Sequence, residues 1–118
     1  MQNTSLMTFE EMERKVMYIR GMYIKAKIRL TMHDENSKAL CLQDSIQEGE
    51  IIYVKPQNFI QAVDAAIQAL PEHLQMVIKK EFFEMETYHR YWYLEMLSRS
   101  TFYRYKKEAL RQFLLLLE

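Results

Sequence analysis

Residues 62–114 read AVDAAIQALPEHLQMVIKKEFFEMETYHRYWYLEMLSRSTFYRYKKEALRQFL, and the punctuation of this stretch decides the fold. Pro71 forces a break, because its ring clashes with continuation of the preceding helix while its fixed φ suits the start of a new one. Before it, Phe59, Val63, Ala66 and Leu70 share one face of a helix opened by Pro56, with Ile60 and Ile67 beside them. After it, Leu74, Val77, Ile78 and Phe82 form the next apolar stripe. Glu84-Met85-Glu86 ends that helix, and Thr87 is placed to cap a short fourth helix with Tyr88, Tyr91 and Trp92 on its inward side. Ser98 caps the last helix, and Leu97 can staple to Phe102 across the cap. That register turns Phe102, Ala109, Leu110 and Phe113 toward the domain. It turns Arg99, Ser100, Tyr103, Arg104, Lys106 and Lys107 largely outward. The expectation is an all-α fold in which residues 56–118 form a four-helix domain ending in a basic, hydroxyl-rich helix.

Upstream, residues 1–31 read as one long N-terminal helical arm. Thr8 is its N-cap, Glu11 the capping-box partner, and Met7 and Met12 a hydrophobic staple. Phe9, Met12, Val16, Ile19, Tyr23, Ala26 and Leu30 recur at alternating spacings of three and four, the a/d seam of a coiled coil. Either the rest of the domain or a second copy must cover that seam. Met17, Ile24 and Ile28 widen the stripe beyond a strict seam, which favours packing within the chain. Residues 32–55 read as an acidic linker with turn-forming clusters. A short β-hairpin pairing Ala39 to Leu42 with Ile51 to Val54 can form there, provided it packs on helices, since two isolated strands are marginal.

Composition narrows the function. The chain has 118 residues, 49% of them hydrophobic and 27% charged, enough for a core with a soluble surface. Formal net charge is zero, so any attraction to nucleic acid must come from uneven distribution. Residues 32–50 hold Asp34, Glu35, Asp44, Glu48 and Glu50 against Lys38. Residues 98–111 hold Arg99, Arg104, Lys106, Lys107 and Arg111 against Glu108. A single cysteine, Cys41, rules out an internal disulfide and a CxxC pair and is most simply a small apolar residue. The N-terminus lacks a basic start followed by an apolar core, and the longest purely apolar run is Phe113 to Leu117. A cytoplasmic protein with no membrane segment is expected. His33, His73 and His89 have no partner at metal-ligand spacing, no carboxylate pair sits in an apolar setting, and no GxSxG, Walker or Rossmann loop occurs. No metal, no cofactor and no enzymatic activity are expected, and the nine methionines read mainly as core fillers.

The exposed face of the last helix carries the chemistry of duplex recognition. Arg can donate two hydrogen bonds to guanine in the major groove, Ser and Thr reach phosphates or bases, and Lys neutralises phosphates. Tyr103 and Tyr105, interleaved with Arg104 and Lys106, also suggest a stacking platform for single strands, although such platforms are generally built on β-surfaces.

The same stretch resembles region 4 of bacterial sigma factors. Leu70-Pro71, Phe82-Phe83-Glu84, Thr87-Tyr88, Ser98-Arg99-Ser100-Thr101 and Lys107-Glu108-Ala109-Leu110 carry the likeness. The YRYKKEAL ending is similar to phage-encoded late-gene regulators of the ArpU and RinA type. This resemblance implies a helix-turn-helix that binds promoter DNA and often contacts RNA polymerase. By matching position it implies that Ser98, Arg99, Thr101, Tyr103, Arg104, Lys106 and Lys107 face DNA, with Thr87 on a phosphate. Met96 stands where the family usually has Gly; in a left-handed turn it would cost about 1 kcal/mol, so an irregular turn is expected. A second expectation is a protein-interaction module, or a polymerase accessory factor, that uses the same fold without touching DNA. The Phe9 to Leu30 seam and the apolar tail Phe113 to Leu117 both permit a homodimer, whose two recognition helices would meet half-sites about one helical turn apart.

Overall fold

The computed structural model describes residues 7–32, 40–43, 51–84 and 90–117. Helix α1 spans Phe9–Thr31. Strands β1 (Leu40–Gln43) and β2 (Ile51–Val54) come next, then α2 (Pro56–Ala69) and α3 (Glu72–Ile78). A π-helical turn over Lys79–Phe83 extends α3, a 3-10 turn covers Trp92–Glu95, and α4 spans Arg99–Leu117. The all-α fold is as the sequence indicates, and the short hairpin that the sequence allows is present, its first strand at Leu40–Gln43 where Ala39 to Leu42 is expected.

Local signals explain most boundaries. The Thr8 side chain accepts a hydrogen bond from the Glu11 N–H at 3.1 Å, satisfying one of the donors a helix start leaves unpaired. Pro56 is the first residue of α2. Leu70 is extended (φ −73°, ψ 148°), as the residue before a proline prefers to be, and α3 resumes at Glu72. The hairpin is antiparallel, with Leu40 opposite Val54 and Gln43 opposite Ile51. It avoids the marginal stability of an isolated strand pair because Leu40 is fully buried and β1 lies against α1.

One core joins all four helices. Val16 from α1, Val63 from α2, Leu74, Val77 and Ile78 from α3, and Phe102, Leu110 and Phe113 from α4 are buried in a single cluster. The α1 seam is consumed by this core: Met12, Val16, Ile19 and Ala26 are buried, and Phe9 and Tyr23 are half-buried. The seam is therefore covered within the chain from Phe9 to Ala26, while its last position, Leu30, is 40% exposed. Met17, Ile24 and Ile28, expected to widen the buried stripe, point the other way and are 38%, 38% and 54% exposed. The reason is angular. The buried residues already occupy the arc of α1 that α2 and α4 can reach, and these three lie on the opposite side.

The π turn places two consecutive phenylalanines. The Glu84 N–H reaches the Lys79 carbonyl at 2.7 Å, an i to i−5 bond. Phe82 is buried, and Phe83 meets Tyr23 and Phe113 edge to face at 5.3 and 5.9 Å. The short fourth helix departs from expectation. Thr87 and Tyr88 lie outside the described residues, and the chain between Arg90 and α4 forms the 3-10 turn at Trp92–Glu95 in place of an α-helix. The inward residue of this turn is Tyr93, 4% exposed, while Tyr91 is 52% exposed. Tyr93 wins the interior because its ring stacks on Phe102, 3.7 Å between centroids and 1° from parallel.

Candidate nucleic-acid interface

The candidate interface is built on the first half of α4. Its start is fixed by Ser98, whose hydroxyl oxygen accepts from the Thr101 N–H at 3.2 Å and whose O–H donates to the Thr101 hydroxyl at 2.9 Å. Such a cap contributes about 1 kcal/mol. Leu97 and Phe102 both pack on the core, so the helix is held at its N-terminus by a polar cap and an apolar anchor together. Met96 has φ −115° and ψ −29°, an ordinary right-handed conformation. The turn before α4 therefore needs no glycine, because the 3-10 geometry keeps Met96 out of the left-handed region.

From this register Ser100, Arg104, Lys107 and Arg111 succeed one another along a single stripe, with Arg99 and Tyr103 beside it. Ser98, Arg99, Ser100, Tyr103, Arg104 and Lys107 are exposed, and Thr101 is half-buried. Ser100, Tyr103, Arg104 and Lys107 thus share one face, Ser98 and Arg99 are exposed at the helix N-terminus, and Thr101 is turned toward the Ser98 cap. Thr87, the eighth of the nine sequence-predicted residues, lies outside the described residues.

Lys106, the ninth, is a correction. Its side chain is 12% exposed, with Nζ 2.9 Å from Glu13 and 3.4 Å from Glu81. The rings of Phe9, Phe82 and Phe102 lie 5.7, 5.6 and 6.0 Å from the ammonium. The two carboxylates and three ring faces draw the lysine inward, and the charge is compensated there rather than offered to solvent. Burial by itself pulls the Lys106 pKa down. The Glu13 hydrogen bond and the charges of Glu81 and Glu13 more than offset it, and the value stands above that of an ordinary lysine. Glu81 also accepts from the Trp92 indole N–H at 2.7 Å, so one carboxylate ties the 3-10 turn to α4.

Tyr105 also leaves the expected platform. It is half-buried, its ring 4.7 Å from that of His73, so only Tyr103 of the two tyrosines is exposed. Behind the basic stripe is a shallow cavity of about 420 Å³ between α1, α3 and α4, lined by Met12, Leu74 and Tyr105 and bordered by Arg104, Lys107 and Arg111. Burial, and then the neighbouring Tyr103, push the Tyr93 phenol above its ordinary pKa.

Arg111 is already engaged. Its guanidinium is paired with Glu108, its Nε 3.1 Å from Oε2, and Gln112 donates to the same carboxylate at 2.8 Å. Hydrogen bonds from Arg111 and Gln112 lower the Glu108 pKa to about 2. A lowered folded-state pKa gives stability that is present above the unfolded carboxylate range and is lost as pH falls through the folded value. Both side chains are 41% exposed, so solvent keeps the effect small. The Glu108→Gln variant is expected to melt slightly below the parent at neutral pH, the two curves converging as pH falls from the ordinary carboxylate range toward about 2. A constant gap across that range in thermal melts would show the pair to be inert.

Among the described residues, no three His, Cys, Asp or Glu side chains converge as metal ligands, and no helix is long and apolar enough to cross a membrane. No protein-family model, no curated protein and no solved structure matches this chain.

Proposed function

We propose that this chain is a DNA-binding transcription regulator that docks α4 in the major groove of promoter DNA. The observation that carries the reading is the exposed Ser100, Tyr103, Arg104 and Lys107 on one face of a helix whose opposite face is anchored by Phe102, Ala109 and Phe113, with Ser98 and Arg99 exposed at its N-terminus. A helix so supported can enter a groove without losing its packing, and its side chains have the donors that guanine edges and phosphates accept. The resemblance to sigma region 4 supports the same docking helix and adds RNA polymerase as a partner for the complex on DNA. A dimer, if formed, would use surfaces other than the Phe9 to Ala26 part of the α1 seam; at the C-terminal tail Leu115 and Leu116 are the exposed positions.

With Lys106 turned inward and Arg111 paired, Arg99, Arg104 and Lys107 remain as the phosphate-facing cations. Duplex binding should then weaken with salt at a log-log slope of about −2.7, about 0.9 per contact, or roughly fortyfold between about 50 and 200 mM salt. Fluorescence anisotropy of a labelled duplex across that range measures the slope. A slope near zero would sink the proposal.

A further inference from the structure

The charge of α1 is as uneven as that of α4. Arg14, Lys15, Arg20, Lys25, Lys27 and Arg29 fall between residues 14 and 32, a span with no Asp or Glu. On the side of α1 turned away from the core, Met17, Gly21, Ile24, Ile28 and Met32 recur at spacings of three and four. Met17, Ile24, Ile28 and Met32 are 38%, 38%, 54% and 72% exposed, and none of the described residues lies within 4 Å of where a Cβ on Gly21 would stand. The stripe is therefore an apolar band roughly 22 Å long, open along its length, with Arg14 and Lys25 exposed on one side and Lys27 exposed on the other. Beside it a groove of about 380 Å³ runs between α1 and the π turn, lined by Arg20, Tyr23, Ile24, Lys27, Ile28 and Phe83. Ile24 lies about 18 Å along α1 from Met12, which borders the cavity behind the α4 face, so the two basic surfaces are separate.

We infer that the groove and stripe of α1 form a docking surface for an acidic amphipathic helix of another protein. Charge complementarity selects the occupant: carboxylates along such a helix meet the exposed Lys25 and Lys27 while its apolar side chains enter the groove beside Ile28 and Phe83. A concave floor suits an inserted side chain better than a flat lipid surface. Four exposed apolar side chains are of no use to a purely phosphate-binding face. Covering the stripe, about 22 Å, takes about 15 helical residues. The inference stands independently of DNA binding by α4.

The test uses the full chain and a synthetic peptide of about 18 residues, Leu at i, i+3, i+4 and i+7 and Glu at most other positions, long enough to cover the stripe. Saturable binding at about 10 to 100 µM is expected, a range ordinary for a single helix in a groove. Ile28→Asp and the pair Lys25→Glu/Lys27→Glu should each weaken it at least tenfold, as these exposed positions can change without disturbing the fold, a point thermal melts verify. Arg104→Glu, on the other surface, should leave peptide binding within twofold. The inference is overturned if the peptide does not bind or if a scrambled peptide of the same composition binds equally. It is also overturned if duplex DNA displaces the peptide, or if phosphatidylserine vesicles bind the chain through Ile28 while the peptide does not.

Discussion

Replacing Phe102 by Ala is expected to destabilise the protein by about 4 kcal/mol, the cost of emptying a fully enclosed aromatic site. Phe102 is 2% exposed, and two rings of the 3-10 turn rest on it. Tyr93 stacks on one face at 3.7 Å, and Trp92 approaches at 5.7 Å with its plane 88° away. Truncation would leave the 3-10 turn without its contact to α4, so neighbouring side chains cannot simply close the void. For a domain of this size the loss corresponds to a fall in melting temperature of roughly 15 °C. A loss below about 1 kcal/mol in denaturant unfolding would mean that the turn is not held by this stack.

The second large effect concerns Lys106. Removing one partner of a buried ion pair usually costs about 3 to 5 kcal/mol, because the other charge is left uncompensated. Here Glu13 is 39% exposed and can be solvated, while Glu81 is 18% exposed. Lys106→Met is therefore expected to cost about 2 kcal/mol, below the fully buried case. Adding Glu81→Gln should recover part of that loss, since the amide oxygen still accepts from Trp92 and no stranded charge remains. Lys106→Arg is not a conservative rescue, as a planar guanidinium does not fit a site shaped by three rings around a compact ammonium. Equilibrium unfolding of the single and double variants measures the coupling. Were Lys106 a DNA contact instead, Lys106→Met would leave stability unchanged and reduce the salt slope by about one contact.

The parts of the fold that were legible in the sequence are those fixed by neighbours along the chain. Thr8, Pro56, Pro71 and Ser98 set helix ends through caps and ring geometry, and the structure places those ends where the residues indicate. The inward positions of α4 were equally readable, because a capped start fixes the phase of every later residue. What was hidden depends on distant partners. Residue type puts Lys106 among the outward cations, yet it stands four residues after Phe102 and three before Ala109, the spacing of the inward face, and Glu13, far upstream, and Glu81, on another helix, supply the carboxylates that hold a lysine there. Tyr91 and Tyr93 are indistinguishable by type, and the stack on Phe102 decides between them. On α1 the wide apolar stripe has two sides, and periodicity alone does not show that the core takes only one. The uninterrupted cations of residues 14–32 are visible to a charge count, and that count is the signal that would have separated the two sides.

Lys106 also bears on how the candidate interface is presented. It tethers α4 to Glu13 of α1 and to Glu81 after α3, and Glu81 holds Trp92, so the outward face from Ser98 to Lys107 is braced by three elements. A braced helix loses little freedom on entering a groove, which favours affinity from few contacts.

Selection of bound sequences from random duplex DNA, run in parallel with the parent protein and with Arg104→Glu, tests the central claim most directly. Arg104 is exposed at the centre of the stripe, and reversing its charge leaves the Phe102 and Lys106 anchors in place. The account predicts an enriched motif with the parent and its loss with Arg104→Glu, at unchanged helicity. No motif with the parent, or the same motif recovered equally by both proteins, would contradict it.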